Sequence, residues 1–124
     1  MTYENLYTEF ISLFPEDIEY FKKKEEETGA DIQDGIHVVF GMVVVPYVIM
    51  IVQEAPDKAM KAFEFFEKME KSGDSRIAEV VEFTVLENLL SEEKGVISQC
   101  AGFFGEETRK AADDVGKWAI SSEK

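Results

Sequence analysis

The side chains that most often carry chemistry are scarce in this chain, whose 124 residues include one histidine, His37, and one cysteine, Cys100. A zinc site needs about four nitrogen, sulfur or carboxylate ligands, and no HExxH, ExxH or paired CxxC pattern supplies them. Asp34 and His37 stand three apart and could share a helix face, yet two ligands do not hold a metal. His37 is therefore read as a histidine at a helix entry or in the core. Cys100 lies among Ile97, Ala101 and Phe104, the setting of a small buried apolar residue rather than an activated thiolate. The eight glycines are spread singly, so the sequence offers no phosphate-cradling loop.

Carboxylates are abundant, but a catalytic pair requires one acid in an apolar pocket that moves its pKa away from its partner's. Glu79 and Glu82 are three apart, and Glu82 and Glu87 flank apolar residues, which makes a buried acid conceivable. With so much charge nearby, solvated helix faces are the simpler reading. Glu25, Glu26 and Glu27 are likewise read as a run paired locally with Lys22, Lys23 and Lys24. The inventory points away from an enzyme and requires no metal or cofactor.

What the acids could do together is more informative. The chain carries 26 acidic against 13 basic side chains, a formal charge of -13 and a pI of about 4.4. Ten acids face only three lysines within residues 1–35, a net of -7, so over half the excess sits there. Such a surface repels phosphate backbones, which excludes direct nucleic-acid binding and makes basic proteins the natural partners. A basic protein with a cationic cleft can be covered by a rigid scaffold bearing carboxylates, with long-range attraction speeding encounter. Affinity also needs a desolvated anchor, and aromatic side chains ringed by polar contacts usually provide one. Phe83 fits, with Glu79, Glu82 and Glu87 beside it. Partner-binding residues are accordingly expected at Glu79, Glu82, Phe83 and Glu87.

The elements that must position these residues are helical. Tyr3, Leu6, Tyr7, Phe10, Ile11, Leu13 and Phe14 recur at three and four residues, predicting a first helix over 3–13 with Thr2 as N-cap. Pro15 opens a second, more polar helix ending near Gly29. The stretch from Ile36 to Val52 has no charge apart from a protonated His37. It falls at the bottom of the membrane-spanning range, is interrupted by Gly41 and Pro46 and is flanked by acids, so it reads as a buried core helix within 35–54 and not as a membrane span. Its valines favour strand by propensity, but an isolated hairpin would have no sheet to join. Pro56 opens a fourth helix closed by Gly73. Asp74 or Ser75 caps a fifth, with Ile77, Val80, Val81, Thr84, Val85 and Leu89 on one side and Phe83, Leu86 and Leu90 opposite at 100° per residue. Ser91, Glu93 and Lys94 start a sixth that runs to Gly105, and 106–121 form the last, carrying Ala111, Ala112, Val115, Trp118 and Ala119.

The expectation is one all-α domain of about seven short antiparallel helices over 1–124, a HEAT- or armadillo-like stack or a compact bundle. The lone cysteine forms no internal disulfide, and the opening Met-Thr-Tyr-Glu-Asn lacks a cationic signal segment, so a cytoplasmic location is expected.

Four segments together resemble a known family: LFPE at 13–16, HVVFGMVVVPYV at 37–48, FEFFEKMEKSGDSRIAEVVEFTVLENL at 63–89 and FFGEETRK at 103–110. The family comprises small acidic bacterial helical proteins without assigned chemistry, some similar to immunity proteins of polymorphic or contact-dependent toxin systems. The Gly73-Asp74 turn followed by VVEFTVLE at 80–87 is its most specific part. The resemblance implies an all-helical fold and protein binding, with no catalytic residues to carry over. Where family members often have an acid after the Phe-Gly pair, this chain has Met42. The expected function is a cytoplasmic immunity protein that neutralises a cognate toxin, a basic ribonuclease or deoxyribonuclease; the alternative is a helical-repeat adaptor binding a cellular protein or peptide.

Overall fold

A computed structural model describes residues 1–92 and 95–122, with the backbone alone for 117–122. It is 83% helical, and no strand occurs among the described residues. In chain order the helices are α1 (3–12), α2 (15–28), α3 (Ile36–Glu54), α4 (Pro56–Glu70), α5 (75–91), α6 (Val96–Ala101) and α7 (Glu106–Ser122). The turns follow the expected punctuation. Gly29 ends α2 with φ +74°, a left-handed conformation in which its N–H reaches Glu25 O at 2.8 Å. Gly73 takes φ +81°, after which the Asp74 carboxylate caps α5 by accepting from Arg76 N at 2.9 Å. Thr2 occupies the N-cap position of the first turn without a capping bond from its side chain.

α3 lies at the centre, touching α1, α2, α4, α5 and α6. In a solenoid each repeat contacts only its neighbours, so the arrangement is a bundle around one apolar helix and not a stack of repeats. This helix alone among the described residues is long and apolar enough to cross a membrane by length and composition, with 50% of its most apolar window buried inside the bundle. The core helix keeps one exposed flank, since Val38 and Met42, one helical turn apart, are 41% and 44% exposed. Met42 puts an apolar side chain at the surface.

α3 is continuous despite Pro46, because it changes its pitch. Proline has no N–H and its ring clashes with the carbonyl four residues back. Residues Phe40–Val44 form a π-turn, in which Val45 N–H reaches back five residues to Phe40 O, and the α-helix resumes with Pro46 in its first turn. The core is aromatic. Phe10 stacks on Phe66 at 5.8 Å and meets Phe14, Phe21, Phe40, Tyr47 and Phe65 at centroid distances of 5.3–6.4 Å. Tyr47 and Tyr7 bury their rings and donate outward, to Asp17 Oδ2 at 2.6 Å and Glu25 Oε2 at 2.8 Å.

α6 is shorter than expected. It begins at Val96 after Gly95, whose φ is +102°, and ends at Ala101. The proposed starters Glu93 and Lys94 lie outside the described residues, as do the side chains of Trp118 and Ala119.

Candidate functional site

The second π segment, Val80–Leu86, sits in α5 and sets what that helix exposes. In an α-helix a four-residue step overshoots a full turn by about 40°, so stripes of period four drift around the surface. The wider π-turn takes up more residues and holds such a stripe straight. Beyond its first turn α5 exposes a period-four stripe, Glu79, Phe83, Glu87 and Ser91, with Asn88 beside it, and Ile77, Val81, Val85 and Leu89 are buried. This corrects the grouping of Phe83 with Leu86 and Leu90. Leu86 is turned fully into the core, Leu90 is half-buried on the flank that also carries Glu82, and Phe83 stands out 58% exposed. The two π segments pack on each other, with Gly41 against Thr84 and the His37 ring Nδ1 2.6 Å from Thr84 Oγ1. His37 thus ties the start of α3 to α5 from the surface.

α7 packs alongside α5, leaving between them a groove of about 710 Å³. Glu82, Phe83 and Glu87 form one wall; Glu107, Lys110, Ala111, Asp114 and Val115 form the other, and Glu70 at the end of α4 closes one part. Three of the four expected residues, Glu82, Phe83 and Glu87, are therefore brought together. Glu79 is exposed on the same stripe as Phe83 but lies outside the groove. Sequence reasoning missed the opposite wall. Nothing in the sequence singles out Glu107 and Asp114, and only the pairing of α7 with α5 places them in one groove with Phe83. Lys110 is already engaged by its own helix, 3.7 Å from Glu106 and 3.6 Å from Glu107, so the groove is strongly acidic.

Glu70 is the unusual member. Its Oε1 is buried and receives no hydrogen bond. Desolvation, a hydrogen bond to Glu82 and the charges of Glu82, Glu67 and Glu107 push its carboxyl up to about 8. Near neutral pH Glu70 therefore keeps its proton beside Glu82, since two neighbouring carboxyls disfavour each other's ionised form.

A second acid, Glu67, positions the α7 wall. Its carboxylate accepts from Glu107 N at 2.9 Å, Thr108 N at 2.9 Å and Thr108 Oγ1 at 2.8 Å, capping α7 from the neighbouring helix. Burial would raise the Glu67 carboxyl, but the Glu107 and Thr108 donors and the Lys71 charge outweigh it and hold it below the usual range. Gly105 permits this approach, because a Cβ there would fall 2.5 Å from Glu67 Cδ and Oε1. No local motif announces a cap supplied from forty residues away.

The remaining chemical candidates are occupied structurally. Cys100 is buried, which pushes its thiol up to about 11. Among the described residues, no three His, Cys, Asp or Glu side chains converge to hold a metal ion. In the acidic α2, Asp17 is bound by Lys58 Nζ and Tyr47 Oη, both at 2.6 Å. Lys23 and Lys24 lie 4.0 and 3.9 Å from Glu27, whereas Glu25 is taken by Tyr7. The local pairing expected of the charge run holds only for Glu27.

Fold and site together define an all-helical bundle with an acid-lined groove around one exposed aromatic ring. The chain belongs to the family described as a domain of unknown function (DUF7674), whose model matches residues 7–118 and so takes in every residue lining the groove. No curated protein and no solved structure matches the chain.

Proposed function

We propose that this protein is an immunity protein that binds and neutralises a basic toxin, most simply a nuclease, through the groove between α5 and α7. The observation that carries the reading is Phe83. A large aromatic side chain 58% exposed on a helix whose other large apolar residues are buried or half-buried is free to meet a partner, and such residues serve as interface anchors. Around it Glu82, Glu87, Glu107 and Asp114 supply the negative rim that attracts a cationic cleft. Neutralisation requires no chemistry from the inhibitor, only occupation of the toxin's site. This agrees with a histidine and a cysteine both held in structural contacts. A helical-repeat adaptor would bind along the concave face of a stack, and a bundle wrapped around α3 favours a compact inhibitor instead.

The test is co-purification with the product of the neighbouring gene, followed by rescue of cells from that product's toxicity. Wild-type protein is expected to rescue and folded Phe83→Ala to fail. Rescue that is indifferent to Phe83→Ala, or no toxic neighbour at all, defeats the proposal and leaves the adaptor reading.

A further inference from the structure

The groove's chemistry narrows what enters it. Nucleic acid and anionic membrane surfaces are repelled by Glu82, Glu87, Glu107 and Asp114. A second copy of the chain would bring the same excess of acids, with a charge of -13. A lone divalent ion lacks a converging ligand set among the described residues. Charge complementarity leaves a basic partner segment, and Phe83 with the apolar faces of Ala111 and Val115 requires that the segment also carry an apolar side chain.

The Glu70 and Glu82 pair marks where the basic side chain goes. A buried carboxyl oxygen with no donor calls for an explanation in a folded protein, and here the oxygen belongs to a side chain lining the groove. Two adjacent carboxyls can be held either by a proton between them or by a cation that satisfies both.

Resting on the reading of the groove as a protein-binding site, we propose that the partner docks a basic, amphipathic segment between α5 and α7, with an apolar side chain on Phe83 and an arginine or lysine entering at the buried Glu70 oxygen beside Glu82, in place of the Glu70 carboxyl O–H. No bond is made or broken other than that O–H: the proton leaves to solvent, and the guanidinium or ammonium donates to both carboxylates. Docking is then linked to pH. The charges bearing on Glu70 are Glu82 from α5, Glu67 on its own helix and Glu107 from α7, while Glu87, Lys110 and Asp114 line the same groove. The acids among them disfavour the ionised pair in the free protein and favour it once the cation is in place.

The probe is an acetylated, amidated peptide of alternating arginine and leucine, titrated into the full chain, with a glutamine-for-arginine peptide as control. Carboxyl and aromatic NMR should place the shifts at Glu70, Glu82 and Phe83, and calorimetry in two buffers of different ionisation enthalpy should show close to one proton released at pH 7. Affinity is expected to rise about fifteenfold from pH 6.5 to pH 8, because the ionised fraction of Glu70 rises by roughly that factor. Glu70→Gln, which has no proton to give up, should bind more weakly and with little change over that range. No binding of the arginine peptide at millimolar concentration, or shifts away from the groove, overturns the docking site itself. Binding that is lost in Phe83→Ala but is flat with pH in the wild type, or a slope that survives in Glu70→Gln, overturns the cation exchange while leaving the groove as the interface.

Discussion

The groove exists because α7 is fixed against α4, and Glu67 is the group that fixes it. Replacing Glu67 with alanine removes three acceptor contacts at once, those from Glu107 N, Thr108 N and Thr108 Oγ1. Hydrogen bonds to a charged group contribute about 1.5–3 kcal/mol each, less when several share one carboxylate. Thr108 is fully buried, so its N–H and hydroxyl are left without a partner and without water. A loss of about 3 kcal/mol is expected, or roughly 10 °C in melting temperature for a domain of this size. Gly105→Ala attacks the same cap from the other side. Its Cβ would lie 2.5 Å from the Glu67 carboxyl group, and the side chain could retreat only by giving up those bonds, at a cost of about 2 kcal/mol.

Urea denaturation followed by circular dichroism measures both variants and their double mutant. With Glu67 already alanine, the obstacle to a Cβ at 105 is gone, so Gly105→Ala should then cost about 0.5 kcal/mol or less, a coupling of at least 1 kcal/mol. The pH dependence has a fixed sign. Because the cap holds the Glu67 carboxyl low, its stabilisation is complete above the unfolded carboxylate pKa of about 4.5 and disappears as pH falls through the lower folded value. Glu67→Ala should therefore lose less stability than the wild type on acidification from pH 5 to pH 3. Additive costs in the double mutant, or a Glu67→Ala cost under 1 kcal/mol, refute the cross-helix cap.

Glu70 behaves in the opposite sense. With its carboxyl raised to about 8, the folded state holds a proton that the unfolded chain releases from about pH 4.5 upward, so stability falls between those values. Glu70→Gln should flatten that stretch of the profile in thermal melts and be about 1 kcal/mol more stable than wild type at pH 8, a figure kept small because solvent screens a half-buried group. Phe83→Ala should change folding stability by less than about 0.5 kcal/mol in urea melts, as expected of an exposed site, while costing about 2 kcal/mol or more of partner binding, through faster dissociation in surface plasmon resonance. Raising salt should slow association with the partner far more than it speeds release, since exposed charges are screened over about 8 Å at physiological ionic strength. Phe10→Ala, at the centre of the aromatic core, should cost about 4 kcal/mol in the same urea assay.

Helix order and most boundaries were legible because the signals are local. Pro15 and Pro56 open helices, Gly29 and Gly73 take positive φ beyond them, and Asp74 caps α5. The aromatic core was legible for the same reason, since Phe10, Phe14, Phe63 and Phe66 repeat at helical spacing. The contacts that build the groove are not local. Glu67 caps a helix about forty residues on, Glu70 meets Glu82 across a turn, and Glu107 and Asp114 become groove residues only through the pairing of α7 with α5. In sequence each is one more acid in a chain with 26 acidic residues. Partner choice between helices is a tertiary property, and helical periodicity carries no record of it.

Phe83 shows how a local departure from the α-helix changes the surroundings of a candidate site residue. At 100° per residue Phe83, Leu86 and Leu90 share a side, and a helix with two apolar sides must be either sandwiched or docked. The π segment removes that ambiguity. Its extra residue per turn rotates Leu86 into the core and leaves Phe83 on a stripe whose other members are Glu79, Glu87 and Ser91. An α-helical Val80–Leu86 would bring Leu86 toward solvent beside Phe83, making a broader and less acidic apolar surface. The π-turn instead yields a single ring within a carboxylate rim, the arrangement on which the proposed choice of a basic partner rests. The same device in α3, at Phe40–Val44, packs directly on it. The geometry of the proposed interface is therefore set by paired departures from the α-helix, one of them adjoining Pro46 and neither of them visible in a 3.6-residue pattern.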